Sequence, residues 1–391
     1  MAILRDFDIV LFGATGFTGE LTARHLASRM PATGRWALAG RNEAKLEGVR
    51  ARLAQDFPEL ADLPLLIADS DDPESLRAVA ESTQVVITTV GPYLLYGEGL
   101  VRACAEAGTD YVDLTGEPEF VDRMYVDYHD TAVSSGARLV HSCGFDSIPH
   151  DLGALFTVRQ LPSDVPLRLR GVVRSNATFS GGTFHSAMEA MSRAKQMRSA
   201  MVARRKAEPK PAGRRSKAIT GKPGRDSVLG YWLLPLPTID PFVVARSGAA
   251  LDEYGPDFGY SHYAGTKTLR FAVGGAAGVT ALTLGAQIKP IREALKKRVP
   301  QGEGPSESRR EKSWFTVDFV GEGGGARVHT RVSGGDPGYT DTAKMLAESA
   351  LSLAFDDNPK TAGQVTTATA MGDALLSRLQ DVGIRFEVVS G

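Results

Sequence analysis

Cysteine is scarce in this chain. Its 391 residues contain two, Cys104 and Cys143. Two isolated thiols build neither a disulfide framework nor a cysteine-based zinc site, so no metal is expected and a reducing compartment suits them. Net charge is lacking too: 45 Lys and Arg stand against 46 Asp and Glu, a formal charge of −1. That balance sets up no global field to attract nucleic acid. No internal repeat is found. No secretory leader is expected either, because the first strand pattern begins within about ten residues of Met1, and a cytoplasmic protein is expected.

What is present is ordinary globular composition, 42% hydrophobic and 23% charged, at a length that suits two or three domains. The most informative stretch is residues 7–19. A short apolar strand at 8–12 runs into Gly13-x-x-Gly16-x-x-Gly19, and a helical stretch follows at 20–29. Gly13 permits a tight turn, Gly16 lets the backbone approach a pyrophosphate, and Gly19 lets the helix pack close to the strand. An anion then sits on the helix N-terminus, where free N–H groups and the dipole favour it.

Strand and helix alternate through the first half. Strands are expected at 35–39, 65–68, 85–90, 111–114 and 138–141, and helices at 43–56, 73–81 (with Asp71 or Asp72 as cap) and 97–107. The alternation predicts an α/β fold, a Rossmann-type doubly wound parallel sheet, with ligands outside the carboxyl ends of the strands. The candidate cofactor site is therefore Gly13, Thr15, Gly16, Phe17, Thr18 and Gly19, with Arg41, Asp69, Gly91 and Pro92 at later strand ends. About 20 residues beyond the glycines an NAD site places Asp or Glu on the ribose hydroxyl. Here that place holds Gly40-Arg41-Asn42. A guanidinium matches a phosphate rather than a bare hydroxyl, which predicts NADPH, with Arg41 on the 2′-phosphate and Lys45 as helper. The alternative is an Arg41 that caps the sheet or points to solvent.

Five motifs then occur in order: Gly13-Ala-Thr-Gly-Phe-Thr-Gly19, Leu38-Ala-Gly-Arg41, Thr89-Val-Gly-Pro-Tyr93, Tyr111-Val-Asp-Leu-Thr-Gly-Glu117 and Cys143-Gly-Phe-Asp-Ser-Ile-Pro149. Together they resemble the saccharopine dehydrogenase-like oxidoreductases, and within them the mycobacterial trans-acting enoyl reductases of polyketide lipid synthesis. Gly335-Asp-Pro-Gly-Tyr339, Thr342-Ala-Lys-Met345 and Ala370-Met-Gly-Asp-Ala-Leu-Leu376 are similar to motifs of the same enzymes. The resemblance implies hydride delivery from NADPH to the β-carbon of an α,β-unsaturated acyl thioester, held on the acyl carrier domain of a polyketide synthase that lacks its own reductase. Other members would act on a different C=N or C=O substrate, and a non-catalytic cofactor-binding protein at a lipid surface is the reading from another class.

Such a reaction needs donors for the enolate oxygen and a proton for the α-carbon. The candidates are Tyr93, with Tyr96 nearby, and Asp146 and Ser147 after the sixth strand. Tyr93 has packing over the cofactor as its alternative, and Asp146 or Ser147 equally suits the cap of a helix starting near Ile148-Pro149. His185 either lines an acyl pocket or is structural. Tyr263-x-x-x-Lys267 has short-chain-reductase spacing but lies far downstream of the glycine loop.

The domain expectation is a Rossmann NADP-binding unit at 1–150 and an α+β substrate and dimerisation unit at 151–391, whose C-terminal helices are free to pack back on the first unit. Strands are expected near 167–173, 242–246, 314–320, 327–333 and 385–389, and helices at 340–355 and 368–379. The stretch 193–225 holds twelve basic residues and Glu208 as its one acid before Asp226. Proline and glycine make its middle a loop, either a solvated insertion or a docking surface for an acidic carrier domain. Residues 271–288 carry no charge and precede Lys289, Arg292, Lys296, Lys297 and Arg298. They read as a segment dipping into a lipid surface, giving peripheral membrane contact, or as a buried or homodimer-interface helix.

Overall fold

The computed structural model describes residues 5–177, 181–298 and 304–391. The apolar runs of the first half become six parallel strands: β1 Phe7–Phe12, β2 Trp36–Gly40, β3 Leu65–Ile67, β4 Thr83–Thr88, β5 Asp110–Val112 and β6 Arg138–Val140. The remaining strands are β7 Leu167–Ser175, β8 Arg215–Ala218, β9 Gly224–Arg225, β10 Trp232–Pro235, β11 Asp257–Thr266, β12 Phe315–Gly323, β13 Ala326–Gly334, β14 Gly363–Val365 and β15 Arg385–Ser390.

The first sheet runs β14-β6-β5-β4-β1-β2-β3, and every pairing in it is parallel. Alternate residues of β1 enter different cores, Ile9 and Leu11 on one face, Val10 and Phe12 on the other. The sheet is thus covered on both faces, which is why its strands read as unbroken apolar runs. Side chains close the helix starts. Asn42 accepts from the Lys45 N–H at 2.9 Å ahead of Glu43–Asp56, and Asp72 from the Glu74 N–H at 3.1 Å ahead of Pro73–Ser82.

A helix absent from the expected pattern, Pro118–Ser135, joins β5 to β6. β14 arrives from the far end of the chain to pair with β6. The C-terminal helix Thr340–Phe355 packs on the helix Phe17–Arg29, where buried Glu348 accepts from His25 (2.8 Å), Arg29 (3.1 Å) and Arg378 (3.1 Å).

The second sheet is mixed, ordered β15-β13-β12-β7-β11-β10-β9 with β8 alongside β11. The helix Ile148–Val158 connects the two sheets. A Cβ at Gly153 would come within 2.4 Å of the Phe319 ring, so only glycine lets this helix lie against β12. One apolar core extends from Ile9 and Leu11 through Leu152 and Leu155 to Phe258 and Phe319.

Several expectations need correction. Residues 242–246 are helical, within Asp240–Ala250. The pair Val243-Val244 has strand character, but Ile239, Val243 and Ser247 are buried at i, i+4, i+8, and tertiary packing decides. The helix expected at 368–379 is broken at Gly372, whose φ is +43°. The basic stretch begins in a helix, Ala194–Ala207, packed on Pro118–Ser135, while its middle, residues 208–214, is the loop expected. The apolar segment is the helix Leu269–Gln287, and it is not buried: Phe271, Val273 and Leu284 are each at least 60% exposed.

Candidate functional site

The glycine loop leaves β1 as expected. Gly13 has φ +90°, and its N–H donates to the Ala39 carbonyl at 2.9 Å. A Cβ on Gly19 would lie 2.2 Å from the Gly13 carbonyl oxygen, so helix and loop meet backbone to backbone. A Cβ on Gly16 would meet nothing closer than 3.6 Å, so the space over Gly16 is open. Gly16 is also the N-cap of Phe17–Arg29 and offers no capping side chain. The first-turn N–H groups therefore have no partner from the cap, as an anion site requires. Thr15 is exposed, and Phe17 and Thr18 are partly so. The loop is braced just beyond β4 by Thr89, whose hydroxyl donates to the Gly13 carbonyl at 3.0 Å. The C-terminal Gly335–Tyr339 motif reaches it as well, since the Tyr339 ring meets Phe17 edge-on at 4.9 Å.

Arg41 stands exposed just beyond β2 and makes no hydrogen bond or ion pair among the described residues. A free guanidinium there fits a 2′-phosphate, and exposed Lys45 lies one turn along the next helix. Asp69 is less available, because its carboxylate accepts from the Asp71 N–H at 3.1 Å within its own turn. Gly91 and Pro92 follow β4 on the same carboxyl edge.

Tyr93 is a correction. Its hydroxyl donates to the Thr88 carbonyl (3.2 Å) and accepts from the Leu114 N–H (3.1 Å). The ring is buried, and burial first, then the nearby Asp113 charge, pushes its ionisation well above the ordinary tyrosine value. Tyr93 thus joins strand ends instead of offering a proton. Tyr96 is exposed. Sequence reasoning gave no role to Asp113 and Glu117, which organise this edge. Asp113 accepts from His141 (2.6 Å), Tyr111 (3.0 Å) and the N–H groups of Thr115 (3.0 Å) and Ser142 (2.9 Å). Buried Glu117 accepts from the N–H groups of Tyr93 (3.1 Å) and Leu94 (2.8 Å) and from Ser186 Oγ (2.7 Å).

The turn after β6 carries the other two candidates. Ser147 is buried at φ +135°, a strained conformation outside glycine, and its hydroxyl has no partner among the described residues. It is the N-cap of Ile148–Val158 by position but makes no side-chain capping bond. Asp146 is half-buried and faces Gly116, where a Cβ would lie 3.1 Å from Oδ2. Burial, then the charge of Asp240, raises its carboxyl to about 7, against the opposing influence of His150. The turn is held by Thr342, whose Oγ1 accepts from the Phe145 N–H at 3.1 Å.

Behind the turn lies a buried cluster. His150 Nδ1 is 2.9 Å from Asp240 Oδ1, and His262 Nε2 is 3.7 Å from Asp240 Oδ2. Burial opposes ionisation of Asp240, but His150 and His262 hold it well below the usual carboxylate range. Burial pushes His262 down to about 3. The three offer ligand atoms within 4.8 Å of one another, although His150 and Asp240 already contact each other directly. Asp240 and His262 come from the second half of the chain, and no local signal marks them.

His185 lies in the helix Gly181–Ser192, with Nε2 3.1 Å from the Lys296 carbonyl. Tyr263 and Lys267 do not form a reductase pair. Tyr263 is buried in β11, Lys267 is exposed just past its end, and four residues of extended chain separate them by about 13 Å. The basic stretch divides. Arg193 pairs with Glu119 (2.6 Å), and buried Arg204 pairs with Asp122 (2.9 Å) and Glu208 (2.6 Å), whereas Arg198, Arg205, Lys206 and Lys210 remain exposed.

Residues 9–140 match the saccharopine dehydrogenase NADP binding domain. A trans-acting enoyl reductase of Mycobacterium tuberculosis is 38% identical, with 97% of this chain and 97% of that protein covered. One from Mycobacterium ulcerans is 37% identical over the same shares. Among solved structures, apo saccharopine dehydrogenase (L-Glu forming) of Saccharomyces cerevisiae aligns with a TM-score of 0.57 at 12% identity, covering 98% of this chain and 100% of that one, a likeness of fold.

Proposed function

The chain belongs to the saccharopine dehydrogenase-like family of NADP-dependent oxidoreductases, alongside the trans-acting enoyl reductases, and on that premise we propose that it is itself an NADPH-dependent enoyl reductase. Its substrate class is the α,β-unsaturated acyl thioester, presented on the acyl carrier domain of a polyketide synthase. The observation that carries this reading is the likeness to trans-acting enoyl reductases along 97% of both chains.

NADPH, when bound, supplies the hydride for the β-carbon. The first-turn N–H groups after Gly16 hold its pyrophosphate, and Arg41 holds the 2′-phosphate. Asp146 holds a proton for the α-carbon. A carboxyl that stays protonated close to neutral pH is matched to that task. The Ser147 hydroxyl, without a partner among the described residues, would donate to the enolate oxygen. The exposed cations Arg198, Arg205 and Lys206 suit docking of an acidic carrier domain.

The test mixes protein, NADPH and a medium-chain enoyl thioester, and follows the nicotinamide absorbance and the saturated product. Stoichiometric NADPH oxidation is expected. NADPH binding without turnover of any enoyl thioester, but with reduction of a C=N or C=O compound, would keep the family and overturn the reaction.

A further inference from the structure

The helix Leu269–Gln287 is long and apolar enough to cross a membrane, yet only 11% of its most apolar window is buried. Its inner face is spent on protein. Ala272 and Ala286 are buried, and Gln287 donates to the Met191 carbonyl at 2.5 Å on the helix Gly181–Ser192. Its exposed apolar residues are Val273 (60% exposed) and Leu284 (63%) opposite that inner face, with Leu269 (50%) and Phe271 (61%) on its two flanks, continued by Ile288 (51%) and Ile291 (44%). An apolar face of this kind on a folded protein marks a contact surface.

Charge selects the occupant. No Asp or Glu occurs between Asp257 and Glu293. Lys267 and Arg270 stand exposed at one end of the helix, and Lys289, Lys297 and Arg298 beyond the other, none with an ion pair among the described residues. A two-fold contact between copies would bring equivalent surfaces of this patch together, five unpaired exposed cations against the single exposed acid Glu293. An anionic lipid surface complements it instead, each juxtamembrane cation adding attraction. Because one face is held by protein, the helix cannot be surrounded by lipid and does not span.

We propose that Leu269–Gln287 lies in the plane of an anionic bilayer, with Val273, Leu284 and Ile288 inserted in one leaflet, Phe271 at the flank of the inserted face, and the neighbouring cations on the headgroups. The helix beneath it carries Ser186, the residue that holds Glu117 at the carboxyl edge of the first sheet. Seating on lipid therefore brings the bilayer within one helix of the reaction edge, a useful place to receive long acyl chains.

Flotation of the full chain with vesicles tests this without reference to activity. Wild type floats with phosphatidylcholine vesicles containing phosphatidylglycerol, and only weakly with phosphatidylcholine alone. Phe271→Asp with Leu284→Asp lowers binding by about tenfold or more. Lys289→Glu and Lys297→Glu each lower it about fivefold at low salt. Unchanged melting and NADPH affinity establish that the variants fold. Wild type that does not float, variants that float as well as wild type, or a wild-type dimer that the Asp substitutions convert to monomer without vesicle binding would each overturn the proposal.

Discussion

Arg204 lies 2.9 Å from Asp122, and this ion pair turns part of a basic stretch inward. Arg204 is 8% exposed, and its guanidinium also stands 5.4 Å from the centre of the Tyr125 ring. Arg204→Ala strands a buried carboxylate and should destabilise the fold by roughly 3–5 kcal/mol in equilibrium denaturation. Arg205→Glu with Lys206→Glu, on the exposed side, should leave stability within about 0.5 kcal/mol. It should slow reduction of carrier-bound substrate at low salt and spare a free thioester. Equal loss on both substrates would remove the docking role.

Arg41→Ala separates the two nicotinamide cofactors. NADPH affinity should fall roughly ten- to a hundredfold with the loss of charge-assisted hydrogen bonds, and NADH affinity should stay. Isothermal titration with each cofactor checks this, and parallel losses would move the 2′-phosphate elsewhere.

Gly16→Ala and Gly19→Ala should fail differently. At Gly16 the protein itself has room for a methyl group, so melting should be unchanged while NADPH binding weakens. At Gly19 the methyl group would stand 2.2 Å from the Gly13 carbonyl oxygen, so the helix must shift and melting should drop. Thermal melts with and without NADPH distinguish the two.

Asp146 sets a pH limb. Its carboxyl, raised to about 7, donates only when protonated, so kcat should be level below that pH and decline above it. Asp146→Asn should lower kcat and abolish the limb. The sign for stability is parallel. The folded state holds this proton more tightly than the unfolded state, so its contribution is complete below about pH 4 and is lost as pH rises through about 7. Denaturation at pH 5 and 8 should show Asn gaining on Asp at the higher pH.

The glycine loop and the strand ends at Arg41 and Ser147 were legible because β1 to β6 and their loops are local: apolar run, turn residue, helix start. Asp240 and His262 were not, since they reach His150 through packing between the two sheets and no spacing in the chain announces it. Tyr93 misled for a related reason. Its position after β4 suits a donor, but its hydroxyl is taken by backbone groups of Thr88 and Leu114, which a sequence pattern does not display. The exposed face of Leu269–Gln287 is the reverse case, where composition described the residues well and only their surroundings could distinguish surface from core.

β14 has a consequence for biosynthesis. β6, at residues 138–140, remains an unpaired edge until residues 363–365 exist, so a nascent chain leaving the ribosome exposes that edge through most of translation. A fragment ending near residue 150 would keep the same open edge permanently, and would also lack Thr340–Phe355 against its first helix. Such a fragment should self-associate, and the full chain should depend on chaperones from the completion of β6 until β14 has been made.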